Sequence, residues 1–168
     1  NKELRNCFGV FATGVVVACA RRKNFLSNKK IPVENFLSKT SLGKNILIKL
    51  KDVFTEQFFG MTINSFSSVS LDPPLVLFSV DNKSTNLSLF KKNRYFSLNV
   101  LSQEQIELAK AFATPRNSNK WGVETYVFGK YGNPIFEKSL GYFECKKHKI
   151  VKAGDHHIIV GEVVDFAK

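Results

Sequence analysis

Short runs of alternating apolar and polar residues, separated by turn-forming residues, dominate this chain. Such runs lie near Gly60–Phe66, Leu75–Val80 and Phe96–Leu101, and two more flank Gly154 and Asp155 in GYFECKKHKIVKAGDHHIIVGEVVDF. Alternation with a period of two is typical of half-buried strands, and a Gly-Asp pair between two such runs predicts a hairpin turn. The pattern therefore predicts a chain made mostly of strands.

The apolar run FGVFATGVVVACA is interpreted as a buried, valine-rich strand near Val10–Ala20. An alternative is a secretory leader, because Lys2 and Arg5 precede the run and it ends in an A-x-A pattern. Thr13 and Gly14 interrupt the centre of the run, and basic residues follow it at once. These features favour the strand.

Two helices are predicted between the strands. One covers Thr85–Lys92, and the other lies in SQEQIELAKAFA, where Ser102 and Gln105 have the spacing of a capping box. Helical spacing places four apolar residues of the second helix on one face: Ile106, Ala109, Phe112 and Ala113. Since no strand-helix-strand alternation and no internal repeat occur, a closed or split antiparallel barrel is favoured over a doubly wound sheet.

The chain length and the distribution of charge indicate one domain with a basic insertion. A chain of 168 residues has the size of a single domain. The segment from Arg21 to Lys51 holds nine basic residues and one acid, Glu34, and so carries +8 of the formal net charge of +11. We interpret residues 21–59 as a solvated insertion, and a nucleic-acid-binding module is the alternative. Lysine outnumbers arginine, which disfavours reading of bases.

The cysteines and histidines suggest neither a disulfide framework nor a metal site. Cys7, Cys19 and Cys145 are scattered without a C-x-x-C pair, which fits a reducing cytoplasm. His156 and His157 are adjacent, and neighbouring residues of a strand point to opposite faces, so that they do not readily chelate one ion. We expect a cytoplasmic protein without a bound metal.

Two polar stretches flank the apolar strand LVLFSV. The first, TINSFSSVS, carries five hydroxyl side chains and an Asn, and the second, Asn82–Thr85, precedes a predicted helix. Ser, Thr and Asn are common in ordinary turns. However, hydroxyls, accessible amides and a helix start with a nearby Lys also bind anions and the polar edges of flat rings. Two such stretches on either side of one strand can clamp a ligand that is part anion and part planar ring.

Several motifs resemble the flavin reductase family, which has the FMN-binding split-barrel fold. They are GMTINSFSSVSLDPPLVLFSVDNKST, FSLNVLSQEQIELAKAFA and GDHHIIVGEV, with FGVFATGVVV upstream in the same order. The resemblance covers nearly the whole chain apart from the basic insertion. It implies a mainly β fold, a Greek-key antiparallel β-barrel with a few peripheral helices. Similar members are homodimeric flavoproteins that serve as reductase components of two-component flavin-dependent monooxygenases, with flavin bound near the subunit interface.

The resemblance also implies which residues contact the flavin. The ring and ribityl contacts correspond to Thr62, Asn64 and Ser65, with Ser68 and Ser70 nearby. The phosphate contacts correspond to four consecutive residues, Asn82, Lys83, Ser84 and Thr85. Phe112 lies where the family has an aromatic residue close to the flavin, although helical spacing alone fits a plain core role equally well.

His156 matches the histidine that the family has beside the flavin and the nicotinamide, and it is the predicted catalytic residue. The implied reaction is hydride transfer from NADH or NADPH to FMN, or alternatively FAD, without a Rossmann domain. The reduced flavin would then pass to an oxygenase component. A split-barrel protein that binds FMN without reductase activity is the alternative. The basic insertion departs from the family pattern and leaves coenzyme preference open.

Overall fold

The computed structural model describes residues 2–10, 12–22, 58–114, 117 and 119–168. Within these ranges there are three α-helices, which are α1 (Lys2–Gly9), α2 (Thr85–Lys92) and α3 (Ile106–Ala113). The strands are, in chain order, β1 (Val16–Arg21), β2 (Phe58–Ile63), β3 (Ser67–Leu71), β4 (Pro74–Asp81), β5 (Tyr95–Val100), β6 (Tyr126–Phe128), β7 (Pro134–Phe136), β8 (Gly141–Ala153) and β9 (His156–Ala167).

All strand pairs in the described ranges are antiparallel. Seven strands form one sheet in the order β2-β1-β5-β8-β9-β4-β3, and β6 pairs with β7. The predicted hairpin around Gly154 is present, and Gly154 has a φ of +59°, in the left-handed region that glycine adopts without strain. The expected antiparallel, mainly β fold is thus confirmed. No helix in the described part of the chain is both long and apolar enough to cross a membrane.

The large sheet curls around Phe90 of α2. The ring centroid of Phe90 lies 4.8 Å from that of Phe59 on β2 and 5.3 Å from that of Phe78 on β4, both in edge-to-face geometry. These two strands are five positions apart in the sheet, and a flat sheet would separate them by about 24 Å. A single side chain contacts both, so the sheet closes into a barrel around an aromatic core.

A second apolar layer covers the outer face of β1 and β2. Phe112 of α3 and Trp121 pack there against Phe58 and Val17, and other members of the cluster are Cys19, Leu101, Leu108, Ala111 and Phe136. Gly60 is required by this packing, because a Cβ at that position would lie 2.9 Å from both a Phe112 ring carbon and the Ala18 carbonyl oxygen. This layer fixes α3 against the strand that leads into TINSFSSVS.

The prediction of one strand across Val10–Ala20 was wrong in its first half. Helix α1 covers Lys2–Gly9, Val10 is 85% exposed, and β1 begins only at Val16. A continuous apolar run has no period that separates helix from strand. The break lies in the exposed segment 12–15, which contains Thr13 and Gly14.

The predicted buried face of α3 was right at Phe112 and at Ala109, which packs against this apolar layer, and wrong at its other two positions. Ile106 is 56% exposed and Ala113 is exposed, whereas Leu108, Ala111 and Phe112 are buried. The face that packs on the barrel is instead the one formed by Leu108, Ala111 and Phe112, which have the i, i+3, i+4 spacing of a helical stripe. A 3-10 turn at Gln103–Gln105 precedes the helix. The predicted capping box lies at this turn, where the Ser102 N–H donates to Gln105 Oε1 at 2.9 Å.

The basic insertion leaves and rejoins the sheet at adjacent positions. Arg21 at the end of β1 pairs directly with Phe58 at the start of β2. The stretch NILIKLKDVF of this insertion fits a strand or a short amphipathic helix by its pattern, and it lies outside the described residues. We propose that residues 22–57 are accessory to a single domain, because the strands on either side already form a hairpin.

Replacing residues 22–57 with Asn-Gly should therefore leave a folded barrel. A two-residue turn sets the register of an antiparallel pair, and the free energy of unfolding should change by about 2 kcal/mol or less. Circular dichroism with urea denaturation measures this. An insoluble or molten deletion variant would show that the segment supplies part of the core.

Candidate functional site

The pairing of β4 with β9 joins the two loops that carry the predicted site. Asp81 at the end of β4 lies opposite His156 at the start of β9. The next residue, Asn82, donates from its backbone N–H to the Asp155 carbonyl at 2.9 Å and from its side chain to the Gly154 carbonyl at 3.2 Å. The Asn82–Thr85 stretch and the β8-β9 hairpin turn thus form one unit.

The start of α2 presents donors that can attract an anion. Ser84 is the N-cap, and its Oγ accepts from the Asn86 N–H at 3.3 Å. Asp81 Oδ1 accepts from the Lys83 N–H at 2.7 Å, which orients the turn. The Lys83 and Thr85 side chains are exposed, and their polar atoms make no hydrogen bond within the described ranges. A lysine and a hydroxyl at a helix start favour negative charge.

Among the four predicted phosphate residues, the structure separates two roles. Lys83 and Thr85 offer side-chain groups to a ligand. The Ser84 hydroxyl caps the helix. Both polar atoms of the Asn82 side chain are engaged, because Nδ2 donates to the Gly154 carbonyl and Oδ1 lies 2.6 Å from His157 Nδ1. Asn82 and Ser84 shape the loop, and Lys83 and Thr85 face outward from it.

Thr62 and Phe112 lie on the side of β2 that α3 covers. The Thr62 hydroxyl donates to the Ala109 carbonyl at 2.6 Å and so ties β2 to α3. Phe112 is 3% exposed, with its ring 4.8 Å from Trp121 and 5.5 Å from Phe136. The contacts of Phe112 are those of a core residue, which is one of the two interpretations that helical spacing left open.

Asn64 and Ser65 follow β2 and approach β4. Asn64 is exposed. The Ser65 Oγ accepts from the Ser79 N–H at 2.9 Å, so this hydroxyl extends the β3-β4 pairing by a side-chain contact. Ser79 lies two residues before Asp81, which is about 7 Å along a strand. Ser65 therefore lies near the loop that begins α2.

Ser68 and Ser70 lie farther from that loop. TINSFSSVS is not one polar loop, because its last residues form the edge strand β3. Ser68 pairs with Val76 and Ser70 with Leu75, with an irregularity between them. These partners lie five and six residues before Asp81, about 17–20 Å along β4. The structure does not bring Ser68 and Ser70 together with Asn82–Thr85.

Two residues that the sequence did not single out link α2 to β2. The Asn86 side chain and the Lys120 ammonium both donate to the Gly60 carbonyl, at 3.5 and 3.3 Å. Burial, and to a lesser extent nearby Arg22, lowers the pKa of Lys120. Asn86 directly follows the predicted phosphate-binding residues Asn82–Thr85, so the sequence weakly indicated a role for it in the site. Nothing in the sequence around Lys120 indicated such a role. Their bonds satisfy an open strand edge beside the candidate site.

His156 stands on the hairpin beside the loop. Its Nδ1 lies 2.7 Å from Asp155 Oδ1. A carboxylate only accepts hydrogen bonds, so the Nδ1 of His156 carries a proton and donates a hydrogen bond to Asp155. The Nε2 of the ring is then available to a ligand. Within the described ranges, no cluster of three or more His, Cys, Asp or Glu side chains has the arrangement of a metal site.

These features define a split-barrel protein with a candidate anion site where β4, α2 and the β8-β9 hairpin meet. The family described as "Flavin reductase like domain" matches residues 8–168. The chain belongs to the flavin reductase family.

Known relatives extend this result. A probable flavin reductase of Rhizobium meliloti is 34% identical over 98% of this chain and 43% of its own length. An FMN reductase (NADH) of Agrobacterium fabrum is 33% identical over 98% of this chain and 75% of its own. The solved structure of a Streptomyces globisporus NADH:FAD oxidoreductase in complex with NAD and FAD fragments matches with a TM-score of 0.76 at 27% identity, covering 99% of this chain and 81% of that one. The chain spans less than half the length of the first of these relatives.

Proposed function

We propose that this chain is an NAD(P)H:flavin oxidoreductase that binds FMN, or alternatively FAD, and supplies reduced flavin to a monooxygenase. The observation that carries the proposal is the β4-β9 pairing, which unites Lys83 and Thr85 with His156. Relatives support it, since one is an FMN reductase (NADH) and another is the reductase component of a trigonelline monooxygenase of Acinetobacter baylyi. Because the chain spans only part of some relatives, the oxygenase partner belongs to the proposal.

The residues at the start of α2 fit the phosphate of a flavin nucleotide. Asp81 Oδ1 is engaged by the backbone of the turn, and Asp155 Oδ1 is engaged by His156. The groups at this end of α2 that attract a phosphate are the exposed Lys83 ammonium and the start of the helix itself. A bound flavin supplies the hydride-accepting ring, and the task of this chain is to hold and orient it.

His156 is assigned to positioning at the ring. Its contact with Asp155 holds the imidazole with Nδ1–H toward the turn. Nε2 then accepts from, or packs against, a ligand held by the neighbouring loop. Positioning of two reactants is the main contribution that a protein makes to hydride transfer between bound cofactors.

The sheet face opposite the core supports a homodimer. Leu77, Ile158 and Val160 are only partly buried there, and Val151 on the same face is 38% exposed. Apolar side chains from three adjacent strands form a continuous surface, of the kind that pairs with a second copy. We propose that two copies associate through this face, defined by these four residues.

We also propose a cytoplasmic location. The three cysteines are free, and burial raises the pKa of the Cys145 thiol to about 12 and also raises that of Cys19. Buried thiols that stay protonated suit a reducing compartment. Fractionation of host cells tests this, and recovery of the protein outside the cytoplasm would contradict it.

Lys83→Ala should weaken FMN binding about tenfold, because it removes a charge-assisted contact at an exposed site. Unfolding should be unaffected, since the Lys83 side chain is exposed and makes no hydrogen bond or ion pair with the part of the chain that the structure describes. Flavin fluorescence quenching measures the dissociation constant, with Lys130→Ala as a control at another exposed lysine. Equal affinity of Lys83→Ala and the wild type would remove Lys83 from the phosphate site.

The wild type should oxidise NADH or NADPH when FMN or FAD is added, and His156→Ala should slow anaerobic flavin reduction about tenfold while flavin stays bound. Stopped-flow absorbance separates the two effects, and exposed His148→Ala is the control. Unchanged reduction in His156→Ala would remove the residue from the reaction. Flavin binding by the wild type without NAD(P)H oxidation would instead favour the non-catalytic alternative.

Val151→Asp should convert the dimer to a monomer, because it places a charge in the proposed apolar interface. The residue is already partly exposed, so the fold should persist. Light scattering coupled to size exclusion measures the mass, with Val127→Asp as the control, since Val127 is 50% exposed on β6. A wild-type monomer, or a dimeric Val151→Asp variant, would contradict this interface.

A further inference from the structure

His157 joins both ends of α2 to β9. Its Nδ1 lies 2.6 Å from Asn82 Oδ1, just before the helix, and its Nε2 lies 3.0 Å from the Lys91 ammonium in the last turn. Adjacent strand residues face opposite sides of a sheet, so His157 faces α2 whereas His156 faces away from it. Both nitrogens of one imidazole are therefore engaged by the segment that carries the candidate anion site.

The protonation state of His157 follows from its partners. A lysine ammonium only donates, so Nε2 must accept and cannot carry a proton. The proton of the neutral ring is then on Nδ1, which donates to Asn82 Oδ1. The Asn82 amide is oriented to match, because its Nδ2 donates to the Gly154 carbonyl at 3.2 Å. Desolvation and the positive charges of Lys91 and Lys152 lower the pKa of His157, which favours this neutral form.

We propose that His157 is a positioning residue that holds the Asn82–Thr85 loop in the conformation that binds the flavin phosphate. The inference rests on the proposed function and adds a residue to it. His157 fixes Asn82, and Asn82 fixes the loop to the Gly154-Asp155 turn through two further bonds. The Lys83 and Thr85 side chains then keep their place beside the hairpin that carries His156.

A plain surface histidine does not explain this arrangement. His157 is only partly exposed, and it bonds to residues 66 and 75 positions away in sequence. His148, on β8, is exposed, and its side chain makes no hydrogen bond within the described ranges. The two histidines provide a matched pair, one built into a network and one solvated.

The test compares His157→Leu, His157→Asn and His148→Leu. Leucine removes both hydrogen bonds, and asparagine keeps a side-chain N–H donor close to the position of Nδ1. We expect the FMN dissociation constant to rise about tenfold in His157→Leu and about threefold or less in His157→Asn, and to stay unchanged in His148→Leu. The rate of NADH oxidation at saturating FMN should be the same in all three, because His157 faces α2 and the proposed catalytic His156 faces away from it.

Two measurements without flavin separate this inference from the proposed function. Hydrogen exchange of residues 81–85 should accelerate in His157→Leu only, and long-range proton–nitrogen NMR of the wild type should show the Nδ1–H form of His157. FMN affinity of His157→Leu equal to the wild type would overturn the positioning role. An equal loss of FMN affinity in His157→Asn would also overturn it, because the loss would then come from the missing imidazole ring and not from the missing N–H donor. A wild type that binds neither FMN nor FAD would overturn the proposed function, while the exchange and NMR results would still report on the loop.

Discussion

The position of the candidate site depends on Phe90. Its ring lies between Phe59 and Phe78 in edge-to-face contact, and it is 1% exposed. A buried Phe in such a setting typically contributes about 3–5 kcal/mol to stability. Because Phe90 belongs to α2, the same packing that curls the sheet also anchors the helix. The start of that helix is thereby fixed beside the end of β4, where Lys83 and Thr85 are exposed.

The register between β4 and β9 determines which side chains stand at the site. Asp81 pairs with His156 and Val80 with His157. Side chains alternate across a sheet, so a shift of one residue would exchange the faces of the two histidines. In the observed register one histidine stands on the hairpin with Asp155, and the other supports α2. Two adjacent residues of one type thus have different partners and, in our proposal, different tasks.

Local signals in the sequence predicted the elements nearest the site. The bounds of α2 agree with the prediction of Thr85–Lys92, because Ser84 is a strong N-cap and its hydroxyl caps the helix. The hairpin turn at Gly154 was likewise predicted from a residue that tolerates positive φ. The phase of α3 was predicted incorrectly, because Leu108, Ala111 and Phe112 have helical spacing too and the sequence alone does not say which apolar stripe packs on the sheet.

Sequence could not assign the hydroxyl and amide groups to partners. The Thr62 and Ser65 hydroxyls bond to backbone groups on α3 and β4, and the Asn82 side chain bonds across the sheet. Each of these partners is distant in the chain, and the pairing of strands and the packing of α3 on β2 bring them together. For the same reason a pair of histidines in the sequence gave no indication that His157 bridges Asn82 and Lys91.

The most direct measurement is a crystal structure of the protein grown with FMN. Our account predicts the phosphate within hydrogen-bond distance of Lys83 and Thr85, and the ring system on the side of the hairpin that carries His156. A phosphate held away from the start of α2, or a ring remote from His156, would contradict it.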